Sequence, residues 1–417
     1  MKYSTTPRLL IMMFVQYFMQ GAWNMTMGLV LSSYGMASII GTAYGLLGVA
    51  TIISPLFTGM IADRFFASQK VMGILHLINA CVIFYTPQFI EAQNATMTLL
   101  MIFIVGILFY PTTALSNSIS FHHIDGVKYF PVIRVFGTFG FMVIGFIIGQ
   151  MGYSGDTMAW YIAAASGVAL GLYCFTLPDT PPKARGRPFM LRDLLCLDAL
   201  ALFKERNFTI LMLSILVLMI PKTAYSAYIP VFLKALGFDN AATMMQIGIA
   251  SEVIFMFLLS FILLRIGFKV TLLIGAVCWV VRSLFFAHAA VDDAMVWVVV
   301  GLLLQGFCWD FFFTVADIYV DRKAGEAIKA QAQSLRFIVS NGAGLLFAST
   351  VCGQIFNHTV NAPGSEGLAQ WQYFWVWPAI VAAIVSAIFF LLFHDDLSER
   401  RSSRRGEAET QSAGQSL

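Results

Sequence analysis

Long apolar runs separated by short polar segments dominate this chain. A helix that crosses a bilayer needs about 20 mainly apolar residues, and twelve runs reach that length. The runs cover residues 8–32, 38–62, 71–90, 95–120, 129–151, 157–177, 207–233, 243–265, 269–289, 294–320, 327–355 and 370–394. The pattern predicts an all-α membrane protein with twelve transmembrane helices.

The longest hydrophilic stretch between these runs lies in the middle of the chain. Residues 178–206 contain several prolines and arginines, and an amphipathic segment runs from Leu191 to Phe203. The predicted units are an N-terminal six-helix bundle at 1–177, a cytoplasmic linker with an amphipathic helix at 178–206, a C-terminal six-helix bundle at 207–394 and a cytoplasmic tail at 395–417.

Composition and charge agree with a membrane location. The chain is 59% hydrophobic and 11% charged, whereas a soluble domain carries about 25% charged residues. Most of the 25 lysines and arginines fall at the termini, in the central linker or in loops that follow even-numbered spans. In the loops that follow odd-numbered spans, the only such residue is Lys234. Because cytoplasmic loops carry the positive excess, we expect a multi-pass protein of the bacterial inner membrane with both termini cytoplasmic.

One embedded stripe combines a cation, a hydroxyl and an aromatic ring. Arg134, Thr138 and Phe141 occupy positions i, i+4 and i+7 of the fifth span, which places them on one helical face. A charged residue in a span normally faces the bundle interior or a wet cavity. The stripe is therefore a candidate binding surface. The alternative is a structural arginine that pairs with a buried acid or with neighbouring carbonyl groups.

Glu252 lies deep in the eighth span, without a basic residue within two helical turns. Removal from water disfavours the charged form of a carboxyl group. Glu252 is therefore a candidate for proton coupling and for accepting hydrogen bonds from substrate hydroxyls. The alternative is a static ion pair with Arg134 or Lys222.

The tenth span carries two acids on one face, Asp310 and Asp317, and Trp309 offers a flat ring for stacking. The sequence leaves two roles open for Asp310: structural pairing with a cation, or the handling of a proton or substrate. Asp317 lies closer to the helix end, where a structural role is expected. Arg282 and Arg336, in neighbouring spans, are candidate ion partners for these acids.

The seventh span contains a proline next to a lysine. Pro221 removes a helix hydrogen bond and favours a kink, so Lys222, Thr223, Tyr225 and Ser226 are candidate cavity residues. A charged Lys222 favours an anionic group on the substrate, and a paired or snorkelling Lys222 does not.

The first span carries a second polar stripe, formed by Gln16, Gln20, Trp23 and Asn24. Buried amides need hydrogen-bond partners. The stripe therefore either faces a hydrated pore or makes helix-packing hydrogen bonds, and the sequence leaves both interpretations open.

The loop after the second span contains Gly59, Asp63 and Arg64, which resemble the Gly-x-x-x-Asp-Arg signature of the major facilitator superfamily. Asp63 near a helix end can pair with an arginine or interact with a helix N-terminus across the domain interface. With twelve spans and a basic central linker, this resemblance implies the fold of that superfamily, with two six-helix halves. It also implies a gating role for Asp63 and Arg64.

Other chemistry finds no support in the sequence. The pair His122-His123 falls short of a metal site, a phosphate-binding Gly-x-x-x-x-Gly-Lys loop is lacking, and no catalytic constellation stands out. We expect no enzyme activity, no cofactor, no metal and no nucleic-acid partner. The expected partners are membrane lipid, a small-molecule substrate and a proton, and the expected oligomeric state is a monomer.

Several segments together resemble the nucleoside/proton symporter family of the major facilitator superfamily. They are Tyr110–Ser120, Phe130–Phe141, Leu197–Lys204, Ser251–Glu252 and Asp310–Phe312, followed by a Val-Asp-Arg-Lys loop and Ala332-Gln333. The resemblance implies that Arg134, Thr138 and Phe141 contact nucleoside. It also implies that Glu252 binds substrate and takes part in proton coupling, and that Asp310 matches a family aspartate.

Other binding positions depart from the family pattern. Thr223 and Ser226 stand where well-known permeases of the family have Gln and Asn, and Ile249 stands where a Gln precedes the glutamate. Gln305 replaces a Tyr, and Trp309 replaces a Phe. The change to Trp309 preserves stacking, whereas the changes at Thr223, Ser226 and Ile249 remove three amides that read the edge of a base.

The sequence and the resemblance together predict a proton-coupled symporter that imports nucleosides by alternating access. The runner-up is a proton-linked transporter of another polar metabolite, either a sugar or an anionic nucleoside derivative that uses Lys222 and Arg336. A drug exporter and a membrane sensor are further alternatives.

Overall fold

In the computed structural model, helices cross the molecule from end to end. The structure describes residues 5–61, 66–124, 126–181, 196–292, 295–361 and 364–395, and every regular element in them is a helix. The helices are α1 Thr5–Asn24, α2 Met27–Ser33, α3 Ile40–Ile61, α4 Ser68–Glu91, α5 Ala95–His123, α6 Gly126–Gln150, α7 Met158–Cys174, α8 Arg206–Ala235, α9 Ala241–Ala289, α10 Met295–Leu303, α11 Gln305–Cys308, α12 Val315–Phe337, α13 Leu345–Thr359 and α14 Gly364–Leu392. Two 3-10 turns, Ala37–Ile39 and Ala199–Lys204, and two π-helical turns, Trp309–Thr314 and Ile338–Gly344, complete the described elements.

Nine stretches of the described chain are long and apolar enough to cross a membrane. Three features explain why this number is nine and the predicted number of spans is twelve. The stretch Ala241–Ala289 contains two predicted spans, Met158–Cys174 is apolar but has 17 residues, and the first span is divided between Asn24 and Met27. The chain therefore follows the predicted order of twelve crossings.

Two glycines reverse the chain direction inside continuous helical stretches. Gly267 in α9 has φ 76° and ψ 179°, and Gly325 in α12 has φ 68° and ψ 170°. A positive φ of this kind favours glycine because it has no Cβ atom. After Gly267, the backbone N–H groups of Phe268 and Lys269 donate to Asp395 Oδ2 at 2.6 and 3.2 Å. Asp395 therefore caps the new helical segment.

The helices pack as two groups. In the first, α1 packs on α6 and α7, and α4 packs on α5 and α7; in the second, α9 packs on α10, α11 and α14, and α8 packs on α13 and α14. This grouping accords with the predicted bundles at 1–177 and 207–394, whose boundaries stay predictions. The tail beyond residue 395 and the gating pair Asp63–Arg64 lie outside the described residues.

The described end of the central linker is attached to the second half. The turn Ala199–Lys204 buries Ala199 and Leu202, the Glu205 carboxylate lies 2.5 Å from Lys323 Nζ, and Gln331 Nε2 donates to Asp198 Oδ2 at 3.2 Å. The predicted amphipathic helix at Leu191–Phe203 is only partly described. Its described part is this 3-10 turn rather than an α-helix.

The two halves meet closely at the end of the bundle opposite Thr5 and Asp395, here called the far end. A Cβ atom on Gly28 would lie 2.1 Å from the Ala227 carbonyl oxygen, and one on Gly41 would lie 2.6 Å from Gly353 Cα. In the described residues, the hydrogen bonds between the halves also lie there, including Asn357 Nδ2 to the Ser38 carbonyl at 3.0 Å. The far end is therefore closed by close main-chain contact together with side-chain hydrogen bonds.

Candidate functional site

Glycines in α6 fix the direction of the Arg134 stripe. A Cβ atom on Gly140 would lie 2.2 Å from the Phe14 carbonyl oxygen, and one on Gly137 would lie 2.6 Å from the Tyr17 ring. The helices α1 and α6 therefore approach through a small-residue face. Thr138 and Phe141 are half-buried next to that face, on the predicted common stripe.

Arg134 lies over an aromatic ring that sequence reasoning missed. Its guanidinium carbon is 4.4 Å from the ring centroid of Tyr17, which is a cation–π distance. Arg134 is accessible, and its charge interacts with Glu252 of the other half. Arg134 therefore faces the space between the halves. Tyr17 was missed because it lies beside, and not on, the polar stripe of the first span.

Glu252 is half-buried on the part of α9 that faces the first half. Gln305 Nε2 donates to Glu252 Oε2 at 3.4 Å, and the carboxylate interacts electrostatically with Arg134 and Arg282. In the described chain, no lysine or arginine forms an ion pair with Glu252. The static pair with Arg134 or Lys222 that the sequence left open is therefore not formed in this conformation.

Arg282 is held behind Glu252 by a ring and an amide. It is 1% exposed, its guanidinium carbon lies 3.4 Å from the Tyr225 ring centroid, and Nη1 donates to Gln305 Oε1 at 2.5 Å. Its Nε and Nη2 atoms are buried without a hydrogen-bond partner among the described residues. The predicted pairing of Arg282 with an acid is thus replaced by a bond to a neutral amide.

Asp310 lies in the π-helical turn Trp309–Thr314 and is fully buried. Thr314 Oγ1 donates to Asp310 Oδ1 at 3.4 Å, whereas Oδ2 has no hydrogen-bond partner within the described part of the chain. Asp310 interacts electrostatically with Glu252. π-helical turns often mark functional sites. Here the turn places Asp310, one of whose oxygens has no hydrogen bond within the described residues, where it interacts with Glu252.

Lys222 approaches the same turn from α8. Its Nζ atom lies 5.9 Å from the Trp309 ring centroid, and no carboxylate of the described residues is within ion-pair distance of it. Ser226 is half-buried, and its backbone carbonyl accepts a 3.5 Å hydrogen bond from the Tyr44 hydroxyl. Thr223 is fully buried, and its hydroxyl lacks a partner in the described structure. The role of Thr223 in binding stays a prediction.

Arg336 has the acid partner that the sequence suggested. Its Nε atom lies 2.8 Å from Asp317 Oδ1, and Nη2 donates to the Phe313 carbonyl at 3.0 Å. The pair joins the two parts of α12 on either side of Gly325, and the bond to Phe313 joins Arg336 to the π-helical turn. This agrees with the expected structural role of Asp317. Arg336 is consequently engaged and is not a free cation for substrate.

The polar stripe of the first span is mostly a packing feature. Gln16 is fully buried, its Nε2 donates to Thr112 Oγ1 at 2.9 Å, and its Oε1 is 2.7 Å from His76 Nε2. Trp23 is also buried, whereas Asn24 is half-buried. The interpretation of helix-packing hydrogen bonds therefore holds for Gln16. Trp23 packs against the rings of Phe109 and Trp160, and its indole N–H has no hydrogen-bond partner among the described residues.

Charged groups from both halves thus converge between them. Arg134 comes from the first half, and Lys222, Glu252, Arg282 and Asp310 come from the second. Charged side chains in spans are costly unless they face partners or a polar cavity. In the described residues no group of three histidines, cysteines or acids is placed to hold a metal ion.

A site between two halves of six spans each defines the chain as a secondary carrier of the major facilitator type. The family-level match is more specific: a family model described as "Nucleoside H+ symporter" matches residues 3–398. The chain belongs to this family of proton-coupled nucleoside transporters, which are carriers and not enzymes.

Relatives agree along nearly the whole chain. The Escherichia coli (strain K12) protein YegT is 33% identical over 95% of this chain and 95% of its own length. The xanthosine permease of the same organism is 28% identical over 94% of this chain and 96% of its own. A crystal structure of the nucleoside transporter NupG has a TM-score of 0.83 and 27% identity, and it covers 93% of this chain and 98% of that chain. The predicted family and fold are therefore confirmed.

Proposed function

We propose that this protein imports nucleosides together with protons through the site between its halves. The observation that carries the proposal is the position of Glu252. This carboxylate interacts electrostatically with Arg134 of the other half and is hydrogen-bonded only to the neutral Gln305 amide within the described chain. A carboxyl group without an ion pair, placed where two halves meet, can exchange a proton and bind a polar substrate in turn.

The side chains of the site suit different parts of a nucleoside. Arg134 and Thr138 supply hydrogen-bond donors, and Glu252 accepts hydrogen bonds from ribose hydroxyls. Phe141 and Trp309 offer rings on which a base stacks. Gln305 and Ser226 add polar contacts near the base, and Thr223 joins them if α8 moves during transport.

Proton coupling in this proposal uses two carboxyl groups. Glu252 and Asp310 interact electrostatically, so the protonation of one depends on the charge of the other. Glu252 takes up a proton from the outer side, and substrate then completes its hydrogen bonds. Asp310 is the second candidate proton group because one of its oxygens has no hydrogen bond within the described residues.

Transport then requires that the closed far end open and the other end close around the same site, which is alternating access. The charge pattern of the loops favours cytoplasmic termini in the inner membrane, so the far end faces outward. Asp63 and Arg64 are the proposed gating residues at the cytoplasmic end. One chain supplies both sides of the site, which supports function as a monomer.

The test is uptake of labelled uridine into proteoliposomes, driven by an outside-acid pH gradient. Wild-type protein should accumulate uridine against its gradient and make the outside more alkaline. Glu252→Gln should reduce uphill accumulation at least about tenfold, because removing a proton-transfer group costs factors of this order or more. The matched control Glu91→Gln makes the same chemical change at an exposed position and should accumulate uridine normally. Normal uphill accumulation by Glu252→Gln would contradict the assignment.

One observation favours a second candidate, an anionic nucleoside derivative. Lys222 lies beside Trp309 without a described carboxylate partner, and a buried ammonium is stabilised by a negative charge. The same assay with xanthosine, whose base is acidic, separates the candidates. An anion-selective site would favour xanthosine over guanosine in wild type and lose that preference in Lys222→Met. Equal competition in both proteins would exclude this candidate.

A further inference from the structure

Gln305 lies between a positive and a negative side chain. Arg282 Nη1 donates to Gln305 Oε1 at 2.5 Å, and Gln305 Nε2 donates to Glu252 Oε2 at 3.4 Å. Arg282 is 1% exposed and Gln305 is 9% exposed, so water does not compete freely for these groups. The short contact to a guanidinium is of the charge-assisted kind.

These neighbours leave the amide only one orientation. A guanidinium has five donors and no acceptor, so Arg282 holds the amide oxygen whether or not Glu252 carries a proton. The ionised Glu252 carboxylate, which has acceptors only, adds a second constraint on the amide. A flipped Gln305 would turn its NH2 group toward Arg282 and its oxygen toward the carboxylate. Both hydrogen bonds would then be lost, and a buried donor and acceptor would lose their partners.

Arg282 itself is held in place independently of Gln305. Its guanidinium carbon lies 3.4 Å from the Tyr225 ring centroid and 5.6 Å from that of Phe286. Tyr225 and Phe286 are stacked, with ring centroids 6.2 Å apart. The arginine is therefore a fixed donor against which the amide is oriented.

We propose that Arg282 locks Gln305 as a hydrogen-bond donor toward the space between the halves, so that the site selects nucleosides whose base presents a carbonyl oxygen over those that present an exocyclic amine. The inference rests on the proposed function, because it assumes that a nucleoside base reaches Gln305. The amide NH2 has two hydrogens. Glu252 accepts one, and the other is available because Gln305 donates to no other described residue.

Arg282 is in this sense a positioning residue, and Gln305 is the residue that contacts the base. An oxo base and its amino counterpart exchange acceptor and donor at the same ring position. Inosine and adenosine differ in this way at position 6, and uridine and cytidine differ at position 4. A locked donor forms a hydrogen bond with the oxo member of each pair and places a donor against a donor in the amino member.

The experiment measures how the four unlabelled nucleosides compete with labelled uridine in proteoliposomes that contain the full chain. In wild type, inosine should compete at about five- to tenfold lower concentration than adenosine, and uridine should show the same advantage over cytidine. This range corresponds to one net hydrogen bond.

Two variants test the lock. Arg282→Met removes the guanidinium and frees the amide to flip, so both ratios should fall below about twofold. Gln305→Glu keeps an oxygen for Arg282 but removes the NH2 donor, so it should also lose both ratios. Gln305→Glu leaves Arg282 with an acceptor for its hydrogen bond. The competition ratios of this variant therefore still test the proposal if Arg282→Met does not fold. Ser283→Ala, which removes a buried hydroxyl bonded to the Trp279 carbonyl, is the matched control and should keep the wild-type ratios.

The outcomes separate the two levels of the proposal. Ratios that fall in both variants and persist in Ser283→Ala support the lock, since a general structural defect would weaken all four nucleosides equally. Equal competition by all four in wild type, or an unchanged ratio in Gln305→Glu, overturns the lock and leaves nucleoside transport standing. Failure of every nucleoside to compete overturns the proposed function itself.

Discussion

At the scale of single residues, the embedded cations of the second half have three different environments. Arg336 is paired with Asp317, Arg282 is bonded to Gln305, and Lys222 has no acid partner in the described chain. Equal charges in a membrane span therefore do not imply equal roles. The pair stabilises the fold, whereas the other two cations lie beside the proposed binding groups.

The Arg336–Asp317 pair gives the first stability prediction. The arginine side chain is 9% exposed and that of the aspartate is 43% exposed. Asp317→Asn leaves a buried guanidinium without its counterion, so the protein should lose about 1–3 kcal/mol of stability, less than for a fully buried pair. A fall in the melting temperature of the detergent-purified protein measures this. Asp321→Asn is the matched control, because the Asp321–Lys329 pair is more exposed and should contribute at most about 1 kcal/mol. Equal falls in both variants would contradict the prediction.

The candidate site was predictable in part. Arg134, Glu252 and Asp310 stand out in sequence because charges are rare in apolar spans. The partners of these residues do not stand out in the same way. Tyr17 and Tyr225 are ordinary aromatics in aromatic-rich helices, and the contact between Arg282 and Gln305 depends on how two helices are rotated against each other. The periodicity of a sequence shows which residues share one face of a helix. It does not show which residues of the neighbouring helix that face contacts.

At the scale of elements, the spans follow the hydropathy pattern, and the departures from regular helix do not. The two π-helical turns, Trp309–Thr314 and Ile338–Gly344, fall within predicted spans. Nothing in their composition marks an inserted residue. The breaks at Gly267 and Gly325 were expected as loops between spans, and the structure replaces each loop by a single glycine turn.

The contact between α1 and α6 gives an element-scale prediction. Gly140→Ala would place a Cβ atom 2.2 Å from the Phe14 carbonyl oxygen, so the helices must separate. The expected loss is about 1–3 kcal/mol, as for overpacked cores, and a thermal-shift measurement detects it. Because α6 carries the Arg134 stripe, nucleoside affinity should fall as well.

Gly45→Ala serves as the control for Gly140→Ala. At Gly45 the nearest atoms to an added Cβ are the Ser349 Oγ at 3.1 Å and the Leu346 Cδ1 at 3.4 Å, both at the ends of side chains. This variant should lose less than about 1 kcal/mol, because side-chain ends shift more easily than main chain. If Gly45→Ala is the more destabilised of the two, the role given to the α1–α6 contact is wrong.

At the scale of the whole molecule, the conformation is closed at the far end. The contacts of Gly41 with Gly353 and of Gly48 with Gly342 join α3 to the second half. Together with Gly28 against Ala227, they form a line of main-chain contacts, here called the glycine seam. The Gly28 and Gly41 contacts lie at the far end. The Gly48–Gly342 contact lies deeper, because the neighbouring Gly344 packs on Met219 of α8.

A larger side chain in the seam should hold the far end open. In a background with Ser349→Cys and Cys81→Ser, Gly41→Leu should raise the rate of labelling by a membrane-impermeant maleimide at least about tenfold, because Ser349 is fully buried in the closed conformation. Uptake should fall at the same time, since the carrier must alternate. Phe347→Leu, on the exposed side of α13, should change neither. Unchanged labelling in Gly41→Leu would show that the seam does not control the far end.

Closure by main chain also limits how the far end can begin to open. A barrier made of side chains can loosen one rotamer at a time, and each small gap admits water. Where Gly41 contacts Gly353, there is no side chain that could change rotamer. The helices must therefore move apart as rigid units before any passage exists. We expect such a carrier to pass few protons without substrate, because the half-open forms through which protons would slip are missing from its path.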